Sequence, residues 1–130
     1  MKEQNQDAQE LFELAMKHVY GDGVPEDNEL AVTLLTRARD MGHMEAAYNL
    51  GICYHYGHGT GVDLEKAFEL YLEAAGGGYG KGMELSGRFY NRGIYVEQNR
   101  GQAEYWLRKA MESTDPEAVE GARKELERNG

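Results

Sequence analysis

Residues 46–75 read AAYNLGICYHYGHGTGVDLEKAFELYLEAA, and two apolar periods meet inside this stretch. Ala47, Leu50, Gly51 and Tyr54 fall at i, i+3, i+4 and i+7, one face of a helix. Gly57 follows, a residue without Cβ that can take the left-handed conformation ending a helix. Asp63 stands where a second helix must start, because its short carboxylate can accept from the orphan backbone N–H groups there. Beyond it Ala67, Leu70, Tyr71 and Ala74 form a second apolar face. The stretch therefore predicts a helix, a tight turn and a helix.

The same punctuation recurs at a fixed offset of 36 residues, the mark of a repeat architecture. Ala31, Ala67 and Ala103 coincide, as do Ala38, Ala74 and Ala110; so do Gly21, Gly57 and Gly93, and Asp27, Asp63 and Asn99. The first stripe becomes Leu11, Leu14, Ala15 and His18 before the middle copy and Met83, Ser86, Gly87 and Tyr90 after it. Small residues at Ala15, Gly51 and Gly87 let a partner helix approach closely. The second stripe recurs as Ala31, Leu34, Leu35 and Ala38 and as Ala103, Trp106, Leu107 and Ala110. After the third copy, Asp115 and Pro116 form a helix-start signal, and Ala118, Ala122 and Leu126 give a final helix one thin apolar face among Glu120, Arg123, Lys124, Glu127 and Arg128. Such a helix suits the end of a repeat stack. One domain over 1–130 is expected, with repeats at about 9–45, 46–81 and 82–117 and a capping helix at 116–128.

The order Ala47, Leu50, Gly51, Tyr54, Gly57, Gly59, Asp63, Lys66, Ala67, Tyr71, Ala74, Ala75 closely resembles the Sel1-like repeat, a relative of the tetratricopeptide repeat. Gly87, Tyr90, Gly93, Ala103, Trp106, Lys109 and Ala110 look like the same unit, and the resemblance covers about residues 9 to 117. It implies an all-α solenoid, a right-handed superhelix of three helix-turn-helix repeats, and a non-catalytic adaptor or regulator that binds other proteins. Two departures stand out. Tyr95 replaces the second turn glycine of the third copy, and Gly76, Gly77 and Gly78 replace the usual polar end of a second helix.

In a stack of this kind the first helices line a concave groove. The positions pointing away from each repeat's own packing stripe are Phe12, Met16, Val19 and Tyr20, then Tyr48, Ile52, His55 and Tyr56, then Glu84, Arg88, Asn91 and Arg92. The expected groove runs from aromatic and apolar to cationic. Phe12, Met16, Tyr20, Tyr48, Ile52, His55, Tyr56, Arg88, Asn91 and Arg92 are its candidate contacts, with aromatic anchors for an apolar segment and arginines for an acidic group. The other reading of the aromatic residues is packing between neighbouring repeats, and periodicity alone does not separate the two.

Composition narrows the function classes. Fourteen Lys and Arg stand against 23 Asp and Glu, net −9, which disfavours phosphate-backbone binding. Residues 1–45 carry net −6, 46–81 net −2 and 82–130 net −1, so the negative field gathers at the N-terminal end. A single cysteine, Cys53, excludes an intramolecular disulfide, and Met1–Asp7 lacks the apolar stretch of a signal peptide; a cytoplasmic protein is expected, with no membrane partner. Cys53, His55 and His58 supply too few convergent ligands for a metal site, and no cofactor is expected. The stretch Ala75–Gly82 lacks the Ser or Thr and the preceding strand of a phosphate loop and reads as an inter-repeat turn, with its glycines a possible hinge. No nucleophile arrangement is visible. A monomer or weak homodimer binding a protein or peptide is the leading expectation; an inhibitor or immunity protein against a bacterial toxin, and a small-ligand protein using His55 and His58, are the alternatives.

Overall fold

The turn chemistry closes every hairpin in the same way. In the computed structural model, which describes residues 7–130, helices α1 (Ala8–Tyr20), α2 (Asn28–Asp40), α3 (Met44–Tyr56), α4 (Leu64–Gly76), α5 (Gly80–Arg92), α6 (Arg100–Met111) and α7 (Pro116–Glu127) follow one another. No strand occurs among the described residues. The reading of the extreme N-terminus falls on residues 1–6, outside the described ones. Gly21, Gly57 and Gly93 end α1, α3 and α5 in the left-handed conformation, at φ 64°, 73° and 67°. The carbonyls of Lys17, Cys53 and Phe89 then accept from the N–H groups of Asp22, His58 and Ile94 at 2.9, 2.9 and 3.0 Å. Asp27, Asp63 and Asn99 donate their own N–H groups back to His18, Tyr54 and Tyr90. Their side chains accept from Leu30, Lys66 and Gln102, each at 3.0 Å.

The second left-handed position of the turn is occupied by Gly23, Gly59 and Tyr95, at φ 76°, 78° and 65°. The backbone keeps its path in the third copy although the residue has a Cβ. That conformation costs an L-residue about 1 kcal/mol or somewhat more.

The helices group into two compact units, one running to Ala67 and the other Phe68–Gly130. Repeat stacks are held by neighbour-to-neighbour contacts rather than by one central core. In the first unit α2 packs on both α1 and α3. Leu11, Ala15, Leu34, Leu35, Ala38, Ala46, Ala47 and Leu50 are buried there. His43 fastens the start of α3: its Nδ1 accepts from the Ala46 N–H at 3.0 Å, so Nε2 carries the proton and donates to Gln9 Oε1 at 2.8 Å. Phe12 stacks on the same imidazole, centroids 4.8 Å apart.

In the second unit α5 packs on α6 and α7, and α6 on α7. Ala75, Met83, Ala103, Leu107, Ala110 and Ala122 form its core, with Tyr90, Trp106 and Leu126 packed against it. Phe89 lies between two aromatics, stacked on Phe68 at 5.6 Å and edge-on to Tyr71 at 5.5 Å. A Cβ at Gly87 would come within 2.7 Å of Leu107 Cγ, which is why the small position recurs at this helix crossing. The glycine-rich stretch is shorter as a turn than its composition predicts. Ala75 and Gly76 belong to α4, Gly80 and Gly82 to α5, and only residues 77–79 connect them. Gly80 and Gly82 are buried, with Ser113 and Ala74 where their Cβ atoms would stand. Close packing, not a long flexible link, accounts for those two glycines.

Candidate functional site

Two faces derive from the same repeat positions, and they are filled differently. In the first unit, α1 and α3 leave an apolar cleft of about 260 Å³. Met16, Val19, Leu35, Ile52 and Cys53 form its apolar part, Asn28, Asn49 and His58 its polar part, and Tyr20 stands at its edge. Tyr20 is 73% exposed and Tyr56 58%, large aromatic surfaces left open to solvent. Of the expected groove residues, Met16, Tyr20 and Ile52 line this cleft. Tyr56 stacks with His55 at 4.3 Å and meets His58 at 6.0 Å. Tyr48 is half-buried and outside the cleft lining. Phe12 is 8% exposed and stacked on His43. Cys53 is buried, and burial pushes its thiol above the ordinary value, which makes it a neutral, weakly nucleophilic part of the wall.

In the second unit the positions equivalent to Phe12, Met16, Val19 and Tyr20 are Glu84, Arg88, Asn91 and Arg92. The sequence reading gives their charge to an acidic group on a partner. The acid they meet is internal, Glu125 of α7, which is only 2% exposed. Arg92 holds it with two hydrogen bonds, Nε to Oε2 at 2.9 Å and Nη2 to Oε1 at 2.7 Å. Asn91 Nδ2 donates to Oε2 at 2.8 Å, and Asn129 Nδ2 donates in turn to Asn91 Oδ1 at 2.8 Å. Arg88 donates to Glu84 and stands 3.8 Å from Glu125. The expected cationic end of the groove is thus a socket already occupied by α7.

The carboxylates titrate in opposite directions. Burial raises the Glu84 carboxyl, and the Glu125 charge adds to that, while Arg88 opposes it without cancelling it. Burial also pushes Glu125 upward, but the hydrogen bonds from Arg92 and Asn91 and the charges of Arg92 and Arg128 outweigh it and hold the group below the usual carboxylate range.

Glu125 was not among the candidate residues, since it sits in a helix read as polar on every side but one. A signal for it did exist. Lys17, Cys53, Phe89 and Glu125 occupy one repeat position, apolar and buried in the middle two. Extending the 36-residue register into α7 marks a carboxylate at a packing position. The same register places Arg123 where Ala15, Gly51 and Gly87 stand; it is exposed and paired with Glu120 and Glu127.

Among the described residues no three His, Cys, Asp or Glu side chains group to hold a metal. No helix among them is long and apolar enough to cross a membrane.

The Sel1 repeat family model matches residues 8–43, 45–79 and 81–115. The chain belongs to the Sel1-repeat family. Its all-α solenoid class agrees with two solved Sel1-type structures. A Sel1 repeat protein from Oxalobacter formigenes superimposes with a TM-score of 0.82 and 27% identity, covering 85% of this chain and 46% of that one. A protective antigen of uropathogenic Escherichia coli strains that displays this fold gives 0.83 and 30%, covering 90% and 25%. Among curated relatives, chitin synthase regulatory factor 2 of Schizosaccharomyces pombe is 32% identical over 102 residues, and eukaryotic elongation factor 2 kinase of Rattus norvegicus 31% over 103. The alignments cover 75% and 68% of this Sel1-repeat chain but only 20% and 14% of those proteins. Sel1 repeats generally mediate protein–protein interaction, and the fold is typically a non-catalytic scaffold.

Proposed function

We propose that this chain is a cytoplasmic, non-catalytic adaptor or regulator that binds a protein partner through the α1–α3 face of its first unit. The observation that carries the reading is the open apolar cleft with exposed Tyr20 at its edge, built on the repeat positions that in the second unit form a closed ion-pair socket. Rigid aromatic anchors beside a preformed apolar depression are what protein interfaces use for most of their binding energy. The protein acts as a monomer or weak homodimer, without nucleic acid or cofactor.

A photo-crosslinking residue placed at Tyr20 tests this, with another at exposed Thr33 on α2 as control and Ile52→Arg as the blocking variant. One protein should cross-link from position 20 and not from position 33, and Ile52→Arg should abolish the product while far-UV circular dichroism stays unchanged. Cross-links from position 33 alone, or products indifferent to Ile52→Arg, would place the interface elsewhere.

A further inference from the structure

We propose that the cleft between α1 and α3 takes one large apolar side chain from a partner segment that carries Lys or Arg immediately beside it. This rests on the reading of the chain as a protein-binding module and names the chemistry of what binds.

The size of the occupant follows from the cleft. About 260 Å³ lies below the roughly 300–1,000 Å³ of pockets that enclose a drug-sized ligand, so the space suits a side chain rather than a cofactor. Its character follows from the walls. Leu35 is fully buried, Ile52 and Met16 are apolar, and Cys53 is held as the neutral thiol. A charged group in that depression would lose its hydration without finding a counter-charge. Met16 adds a flexible wall that adapts to different apolar shapes.

The charge beside the occupant follows from the turn. Tyr20 and Asn28 both line the cleft, and the chain between them carries Asp22, Glu26 and Asp27. From His18 to Thr36 there are four acidic residues and no Lys or Arg. Asp22, Glu26 and Asp27 are all exposed, and among the described residues no ion pair or side-chain hydrogen bond ties Asp22 or Glu26 to another group. The opposite wall, Asn49, Ile52, Cys53 and His58, holds no Asp, Glu, Lys or Arg. Lys17 and Arg37 bound this segment, so residues 17–37 carry four acidic and two basic side chains, a net negative charge on the turn side of the cleft that the opposite wall lacks. Charges closer than the screening length of about 8 Å at physiological salt still interact, so a Lys or Arg within two residues of the anchor is favoured beside this turn and an acidic neighbour is disfavoured.

The experiment is selection of a random nine-residue peptide library on the purified protein, followed by titration of the enriched peptides by fluorescence anisotropy. Three forms are compared: the wild type, Met16→Trp, which fills the cleft without changing charge, and the Asp22→Asn, Glu26→Gln double variant, whose changes are confined to exposed side chains. Peptides sharing one large apolar residue with Lys or Arg within two positions are expected. Their affinity should fall about tenfold or more in Met16→Trp and severalfold in the double variant, and should weaken with salt. Enriched apolar peptides that are neutral or acidic and indifferent to the double variant would overturn the charge inference and leave the module reading standing. Peptides held equally by Met16→Trp, or none selected at all, would overturn the cleft as the site. If the wild type self-associates and Met16→Trp does not, the occupant is a second copy and the proposed partner is wrong. Should Met16→Trp fail to fold, the double variant and the salt series still decide the charge inference.

Discussion

The α1 face of the first unit and the α5 face of the second are built on one backbone pattern and end in opposite states. Phe12, Met16, Val19 and Tyr20 meet a following helix that brings Cys53, and the apolar surfaces leave a cleft. Glu84, Arg88, Asn91 and Arg92 meet a following helix that brings Glu125 to the same repeat position, and directed hydrogen bonds close the space. Apolar contact is non-directional and tolerates a gap, whereas a buried carboxylate must be satisfied by named donors. The caps and small residues fix the hairpin, and this outward stripe is free to differ between copies. Where the stripe is apolar it can be offered to another chain; where it is charged here, it seats the next helix of its own chain.

The largest expected effect breaks the comparison on its apolar side. Phe12→Ala should cost about 3 kcal/mol, the range for removing a buried aromatic ring, with the first unit affected. Urea unfolding followed by far-UV circular dichroism checks this. A loss under about 0.5 kcal/mol, the size of an ordinary surface change, would return Phe12 to the open groove.

On the charged side, Glu125→Ala leaves Asn91 buried without its acceptor and Arg92 without its partner. Complete removal of one member of a buried pair costs roughly 3–5 kcal/mol, but both arginines reach solvent here, so about 2 kcal/mol is expected. Trp106, the only tryptophan, lies in the same unit and reports its unfolding by fluorescence. Stability equal to wild type would mean that α7 is held by its apolar face, Ala118, Ala122 and Leu126.

The pH dependence sharpens the same contrast. Glu84 has a raised value in the folded state, so its contribution is fully present below the unfolded value and is lost as pH rises through the folded one. Glu125 has a lowered value, so its contribution is present above the unfolded value and is lost as pH falls through the folded one. Acidification from neutral should therefore first stabilise the second unit, as Glu84 takes up a proton above the ordinary carboxylate value of about 4.3, and then destabilise it below that value. Glu84→Gln should flatten the first arm and Glu125→Gln the second, read by Trp106 fluorescence in urea at each pH. Identical profiles for both variants and wild type would remove the socket from the acid response.

How far the sequence carried the fold, and where it stopped, follows the same division. Helix ends were legible because capping is local: Gly21 and Asp27 act on backbone groups a few residues away, and their spacing repeats. Leu11, Ala47 and Leu107 were legible as core because the helical period marks a face. The period does not say what lies opposite that face. Phe12 and Tyr20 share a stripe, yet one is packed on His43 and the other exposed, because a helix arriving 31 residues after Phe12 covers only part of the stripe. Glu125 was harder still. Its burial depends on Asn91 and Arg92, more than 30 residues earlier, and a glutamate among polar neighbours carries no local sign of being enclosed.

The smallest effect concerns the turn rather than the stripe, and it separates backbone pattern from side-chain content. Gly23, Gly59 and Tyr95 hold the same left-handed conformation, so the turn's path is imposed by the flanking caps and not by the residue. Tyr95 bears the steric cost of that conformation, and its ring, 53% exposed, recovers part of it through a tilted contact with Phe68 at 6.4 Å. Tyr95→Gly removes both the strain and the contacts of the ring. Relief of roughly 1–2 kcal/mol, offset by a few tenths for the exposed aromatic contact and by the greater freedom of glycine in the unfolded chain, leaves a net gain of about 0.5–1 kcal/mol. The reverse change at the equivalent position of the first unit, Gly23→Tyr, has open space for its Cβ and should lose about 1 kcal/mol from the conformation alone. Opposite signs for the two substitutions in urea unfolding would show that the third turn keeps its path against the preference of its own residue. A loss of stability in both would mean that Tyr95 is retained for its side-chain contacts, that with Phe68 among them.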